Sequence, residues 1–153
     1  MLTGEFRVSI DEKGRVLIPS KLRAAIGGDS LYVTKGLENC LWLMLPTYFE
    51  KLAQIIQPGP GAAFDRNRRY MQRLIISPAQ QIDIDRAGRI NVPPTLRDFA
   101  SLNLKSECTL LGSGTYLELW NNDAYDRYLD DAQASFNEAA EGLSEQLNLL
   151  ERE

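Results

Sequence analysis

Asp11-Glu-Lys-Gly-Arg-Val-Leu-Ile-Pro-Ser-Lys-Leu-Arg23 returns later in the chain as Asp85-Arg-Ala-Gly-Arg-Ile-Asn-Val-Pro-Pro-Thr-Leu-Arg97. Asp11 matches Asp85, Gly14 matches Gly88 and Arg15 matches Arg89. Pro19, Leu22 and Arg23 match Pro93, Leu96 and Arg97, all at one offset of 74 residues. Upstream, Val8 and Ile10 align with Ile82 and Ile84. Downstream, after a slip of two residues, Gly36, Leu41 and Leu43 align with Gly112, Leu117 and Leu119. Register kept over that length marks two copies of one unit, roughly 1–76 and 77–153. A duplication establishes architecture and is silent on function.

Each copy has a legible local structure. Phe6, Val8 and Ile10 alternate with polar residues, the period of a half-buried strand. Asp11 to Gly14 reads as a turn in which the glycine supplies positive φ. Arg15 to Ile18 is a second strand, so the two form a hairpin. Pro19 ends it, and Ser20 to Ile26 reads as a short helix capped at Ser20. Leu31 to Thr34 and Cys40 to Leu45 are strands on either side of a turn at Gly36. The second copy repeats this as Ile82–Ile84, a turn at Gly88, Arg89–Val92, a helix from Pro94, then Thr109–Leu111 and Tyr116–Trp120. Pro46 to Gln57 predicts a helix with Phe49, Leu52, Ile55 and Ile56 on one face. Pro58-Gly-Pro-Gly61 breaks the chain. Asp65 to Ile76 predicts a further helix, and Asp123 to the C-terminus one long acidic helix. The divisions expected are therefore 1–57, 58–76, 77–122 and 123–153.

The composition narrows the chemistry. The chain has 153 residues, 44% of them hydrophobic, enough for a packed core. The start of the chain has no signal-like apolar stretch, and the longest apolar run, Cys40 to Leu45, is far too short to span a bilayer. These features predict a soluble cytoplasmic protein with no membrane partner. There is no histidine, the commonest acid–base group at neutral pH and the usual activator of Ser and Cys nucleophiles. No phosphate-binding or nucleophile-elbow motif is present either. No enzyme activity, cofactor, metal or small-molecule substrate is expected. The two cysteines, Cys40 and Cys108, lie in apolar runs and read as core residues.

The net charge of −4 is unevenly spread. From Asp123 on, nine acidic residues face two arginines, whereas residues 1–122 hold 15 basic and 12 acidic residues. The body is mildly basic and its tail acidic, and the distribution matters more than the sum.

The repeated pattern Asp-x-x-Gly-Arg-hydrophobic-x-hydrophobic-Pro-x-x-Leu-Arg resembles the AbrB/SpoVT swapped-hairpin DNA-binding module. Its occurrence twice in one chain is similar to the MraZ family. So are the opening Met-x-x-Gly, Cys40-Leu-Trp-Leu-Met-Leu-Pro46, Arg68-Arg-Tyr-Met-Gln-Arg73, Leu117-Glu-Leu-Trp120 and Leu143-Ser-Glu-Gln-Leu147. The resemblance covers essentially the whole chain. It departs at Asn91, where an apolar residue is usual, at Thr95, which replaces the cation that Lys21 supplies, and in the loop Pro58–Ala63. It implies an α+β, mainly β fold: an intrachain double-psi, swapped-hairpin β-barrel of two AbrB-like repeats with flanking helices and a C-terminal helix. It also implies a nucleoid-associated transcriptional regulator of the division and cell-wall gene cluster, acting at its own operon. Such a regulator would bind repeated elements in double-stranded DNA as a ring-like homo-oligomer.

The residues themselves point the same way. A two-stranded ribbon fits the major groove, and arginine suits bidentate contact with guanine or phosphate. Arg15 and Arg89 are the leading candidates for DNA contact, with Lys13 and Arg86 on the turns and Lys21, Arg23 and Arg97 in the short helices. The bland reading pairs each arginine with its motif aspartate as a brace. Asp11, Gly14, Pro19, Asp85, Gly88 and Pro93 read as structural. Arg66, Arg69 and Arg73 share a predicted helix face that suits a phosphate patch, a subunit contact or plain solvation. Trp42 and Trp120 read as core or subunit interface. AbrB-like folds also serve as antitoxins, and the acidic tail would suit a basic protein partner; that is the competing reading.

Overall fold

The repeated turn closes as its sequence predicts. In the first copy the Asp11 N–H donates to Arg15 O at 3.0 Å and the Gly14 N–H to Asp11 O at 3.1 Å. In the second, Asp85 and Gly88 make the same bonds at 2.9 Å each. Gly14 and Gly88 hold φ of +83° and +85°. A three-residue hairpin loop ending in a left-handed residue has this form, and glycine is the residue that takes it without strain.

The computed structural model describes residues 1–152. Residues Met1–Asn122 form one unit, and the chain from Asp123 on a second. The first unit holds eight strands: Glu5–Ile10 (β1), Arg15–Leu17 (β2), Ser30–Lys35 (β3), Leu41–Met44 (β4), Gln80–Asp83 (β5), Arg89–Asn91 (β6), Ser106–Gly112 (β7) and Tyr116–Asn121 (β8). Between them lie helices Ser20–Ile26 (α1), Pro46–Ile56 (α2), Arg66–Met71 (α3) and Pro94–Phe99 (α4). The fold is α+β and mainly sheet, a nearly closed antiparallel barrel in the order β5-β3-β4-β8-β7-β1-β2-β6.

The pairing shows how the two copies interlock. β1 meets its own hairpin partner β2 at one register pair, Ile10↔Val16. It pairs along its whole length with β7 of the other copy, from Glu5↔Leu111 to Ile10↔Ser106. The reciprocal pairing joins β5 to β3, from Ser30↔Asp83 to Val33↔Gln80. β2 lies against β6 with Val16 opposite Ile90, the same position of the two copies. β4 lies against β8 with Trp42 opposite Glu118, again an equivalent pair. A pseudo-two-fold axis therefore runs through both ladders, and each copy completes the sheet of the other.

The core draws on both copies. Val16, Ile18, Leu41 and Leu43 from the first and Ile90, Val92, Leu117 and Leu119 from the second are wholly or almost wholly buried in one cluster. Cys40 and Cys108 are buried free thiols. Burial raises the pKa of Cys40 and pushes Cys108 up to about 12. Neither thiol is expected to react with iodoacetamide at pH 8 while the protein is folded, and both should react in denaturant. Native labelling, read by mass spectrometry, would contradict this placement.

Several local expectations need correction. The cap of α1 is Pro19 and not Ser20. Proline fixes the entry geometry at φ −53°, and Pro19 O takes the N–H groups of Leu22 and Arg23 at 3.0 Å each. On α2, Phe49 and Ile56 are buried but Ile55 is 70% exposed. The stretch from Asp65 is not one regular helix. Asp65 caps α3 by accepting from Asn67 N at 2.9 Å and Arg68 N at 3.3 Å, and Gln72–Ile76 then widens into a π turn. Arg73 therefore lies in the π turn and not in the α-helical stretch that holds Arg66 and Arg69. The apolar anchor for this turn is Ile75, whose carbonyl accepts from the buried Thr34 hydroxyl at 2.5 Å. The second unit is not one long helix either. Its helices are Asn122–Gln133 (α5), which starts on the last residue of the first unit, Phe136–Gly142 (α6) and Ser144–Glu151 (α7), interrupted near Ser135 and at Leu143. No helix among the described residues is long and apolar enough to cross a membrane.

Candidate nucleic-acid interface

The β2–β6 ladder carries the two leading arginines. Arg15 pairs opposite Asn91 and Leu17 opposite Arg89. Side chains alternate along a strand, so these four share one face while Val16 and Ile90 point into the core. Arg15 and Arg89 thus lie diagonally on one outward face, about 7 Å apart along the ladder. The position of Asn91 is exposed, as is its counterpart Leu17. That explains why a polar residue is tolerated there: it displaces nothing from the core.

Each motif aspartate organises its arginine. Asp11 Oδ1 accepts the N–H of Lys13 and of Arg15, both at 2.9 Å, and Oδ2 accepts Arg15 Nε at 2.6 Å. Asp85 Oδ1 accepts from Ala87 and Arg89 N–H at 2.9 Å, and Oδ2 from Arg89 Nε at 3.1 Å. The bracing reading of the motif is thus present in the geometry. The bond engages Nε, one of the several donors of each guanidinium. Lys13 and Arg86 are both exposed on the turns but occupy different places. Arg86 corresponds to Glu12, and Ala87 to Lys13. The two tips therefore carry their cation one residue apart.

The hydrogen bond from Arg15 N–H is the chief cause that draws Asp11 down to about 2 from 3.8, and the equivalent bond from Arg89 lowers Asp85. A lowered folded-state pKa contributes stability that is complete above the unfolded value near 4 and lost as pH falls through about 2. The Asp11 turn should therefore persist in acid, with its carboxyl titrating near pH 2 by NMR. Asp11→Asn, which keeps an acceptor oxygen but no charge, should remove that transition. A midpoint near 4 in the wild type would contradict the bracing geometry.

The helix cations divide. Lys21 is exposed on α1, and Thr95 is exposed at the matching place on α4. Arg23 and Arg97 are only partly exposed. Their guanidinium groups lie over Gly88 and Gly14 of the opposite copies. Sequence reasoning placed both arginines in the short helices but did not reveal this crossing, since nothing local encodes it.

The other basic cluster is partly structural. Arg68 pairs with Asp65 at 3.5 Å and donates to the carbonyls of Ile55 and Ile56, closing the C-terminus of α2. Arg69 donates to Ala63 O at 3.0 Å, whereas Arg66 and Arg73 are exposed. Sequence reasoning also missed the bracket between β4 and β8. The indole N–H groups of Trp42 and Trp120 each donate to Glu118 at 3.2 Å, one to each carboxylate oxygen. Glu38, Cys40 and Glu118 bring their ligating atoms within 4.8 Å of one another there. With Glu118 engaged by two indoles and the buried thiol held protonated, the group reads as a strand clamp.

Comparison with known proteins gives a consistent picture. A family model described as "MraZ protein, putative antitoxin-like" matches residues 1–66 and 75–146, which include both motifs. Transcriptional regulator MraZ of Treponema denticola is 38% identical over 144 residues, spanning 94% of this chain and 98% of the relative. The protein of the same name in Treponema pallidum (strain Nichols) is 34% identical over 143 residues, covering 94% of each chain. That of Desulforamulus reducens is 36% identical over 143 residues, covering 94% and 97%.

Proposed function

The chain belongs to the MraZ family, and on that premise we propose that it is a sequence-specific DNA-binding transcriptional regulator. The observation that carries the reading is the shared outer face of β2 and β6, where Arg15 and Arg89 stand together between two cation-bearing turns. A twisted two-stranded ribbon enters the major groove, and paired guanidinium groups at fixed separation suit guanine edges or phosphates. The names of the relatives support regulation as the outcome of that contact. The target we propose is the promoter of its own operon, in the division and cell-wall cluster, read as repeated short elements. The protein would then act in the cytoplasm, on the nucleoid.

One ribbon makes few base contacts, so binding to repeats calls for several copies on one DNA. We assign that role to a homo-oligomer, ring-like in form. Exposed apolar residues support an assembly surface: Ile55, Phe64, Tyr70 and Leu74 between the repeats. A second reading, a protein-interaction module of antitoxin type, is favoured by Leu143, Leu147 and Leu150, which are exposed within the acidic tail. It would be recognised by a small basic protein that copurifies in fixed ratio.

The test is titration of the purified protein onto DNA from upstream of its own operon, across a salt series, beside a scrambled duplex. Contact with six phosphates would lower affinity about a thousandfold between about 50 and 200 mM salt. Equal affinity for the scrambled duplex would refute sequence specificity.

A further inference from the structure

The two hairpin turns are each held by the opposite copy. Ile18 N–H donates to Gly88 O at 2.9 Å, and Val92 N–H donates to Gly14 O at 3.0 Å. Above each of these bonds lies an arginine of the opposite copy. A Cβ built on Gly88 would stand 2.6 Å from Arg23 Cζ and 2.7 Å from its Nε. A Cβ on Gly14 would stand 3.0 Å from Arg97 Nε and 3.2 Å from Cζ. Real Cβ atoms essentially never come as close as the Gly88 distances, and the Gly14 distances are tighter than nearly all real Cβ contacts. The missing side chain of each glycine is thus the space into which the other copy's arginine packs. Both glycines are buried, although they sit in turns whose neighbours Lys13, Arg86 and Ala87 are exposed.

We propose that Arg23 and Arg97 are crossed positioning residues: Arg23 sets the second motif's turn, and Arg97 sets the first's. Loss of either then disables the DNA contact made by the opposite repeat and spares its own. This rests on the DNA-binding reading above, and it assigns two arginines of that reading to a role other than touching DNA. A planar, rigid head suits the task, because it can cover the face of a glycine peptide as a flexible ammonium cannot. The two copies are not equally braced. Arg97 Nε donates to Val92 O at 3.1 Å, whereas Arg23 Nε is buried with no acceptor. Arg23 is held by packing where Arg97 is held by packing and a bond. The second motif's turn is accordingly the softer of the two.

Two measurements on the full-length chain test the proposal. The first needs no DNA. Amide hydrogen exchange is followed at Lys13, Gly14 and Arg15 and at Ala87, Gly88 and Arg89. Arg23→Ala should speed exchange about tenfold or more in the second set and leave the first unchanged, and Arg97→Ala should do the reverse. Acceleration in the variant's own repeat, or equally in both, overturns the crossing.

The second measurement is a set of double-mutant cycles on the upstream duplex. Arg23→Ala should add little to the loss caused by Arg89→Ala and its full effect to that of Arg15→Ala. Additivity with both would mean that Arg23 touches DNA directly, and coupling to Arg15 alone would mean that it serves its own repeat. Either result overturns the proposal. Arg23→Lys guards against a folding defect in the alanine variant. It keeps the charge and loses the plane, so it should leave exchange at Gly88 fast and affinity unrestored. Rescue by lysine counts against positioning. Should the wild type show no preference for the upstream duplex, the regulator reading fails, while the exchange measurement still decides the crossing.

Discussion

Replacing Arg15 and Arg89 together with alanine is expected to abolish specific DNA binding and leave the barrel folded. Each guanidinium that reads a base is worth about 1–3 kcal/mol. The pair is then worth about 2–6 kcal/mol, a loss of at least about thirtyfold in affinity. Little of the fold depends on them. Both project from the outer face of β2–β6, each side chain is about a third exposed, and the core residues Val16 and Ile90 behind them are untouched. The turn survives as well, because Asp11 and Asp85 also accept from backbone N–H groups that alanine retains. The checks are a gel-shift titration against the upstream duplex and a thermal melt of the same sample. A double variant that melts like the wild type and still binds specifically would remove these residues from the interface.

Dividing the chain after Ile76 should have a larger effect, on folding itself. Residues 1–76 retain β1 to β4, but β1 loses β7, β2 loses β6, β3 loses β5 and β4 loses β8. Fully burying an aliphatic side chain is worth about 1.5–3 kcal/mol, and a whole domain is stable by only about 5–15 kcal/mol. Exposing Val16, Ile18, Leu41, Leu43 and their neighbours would consume that margin. Either half alone is therefore expected to be unfolded or to pair with a second copy of itself. Equimolar mixing of 1–76 with 77–153 should restore the native circular-dichroism spectrum. A monomeric 1–76 with a dispersed amide spectrum would contradict the interlocked topology.

The part of this architecture that is written locally could be read from the chain. Gly14 and Gly88 announce their turns because positive φ is a local need, and the alternation at Phe6, Val8 and Ile10 announces β1. The repeat itself gave the pseudo-symmetry. What escaped reading depends on partners far away in sequence. Nothing around Ile10 says that β1 will pair with β7 along six residues and with β2 at one. The crossing of Arg23 and Arg97 follows from that exchange and was hidden with it. Ser20 looked like a helix cap because serine usually is one, but the fixed geometry of Pro19 took the position first. Ile55 fitted the apolar face of α2 by spacing, yet it is exposed while its neighbour Ile56 is buried. In the tail, acidic composition and helical residues concealed the interruptions near Ser135 and at Leu143 that divide it into three helices. The candidate arginines were legible from the motif, but their common face came only with the β2–β6 register.

The covalent joining of the two copies also changes how the barrel responds to dilution. Two separate chains that complete one barrel come apart as their concentration falls, and with them goes the paired arginine face. Here Val16 meets Ile90 within one molecule, so barrel closure is a first-order event. A single molecule at nanomolar concentration presents both arginines at the same spacing as a crowded solution does. Any dependence of binding on protein concentration must then arise after closure, in occupancy of the DNA or in assembly of closed barrels. Joining also releases the copies from having to stay identical. Lys13 against Ala87, Glu12 against Arg86 and Leu17 against Asn91 can each drift, giving one barrel two different hairpin tips.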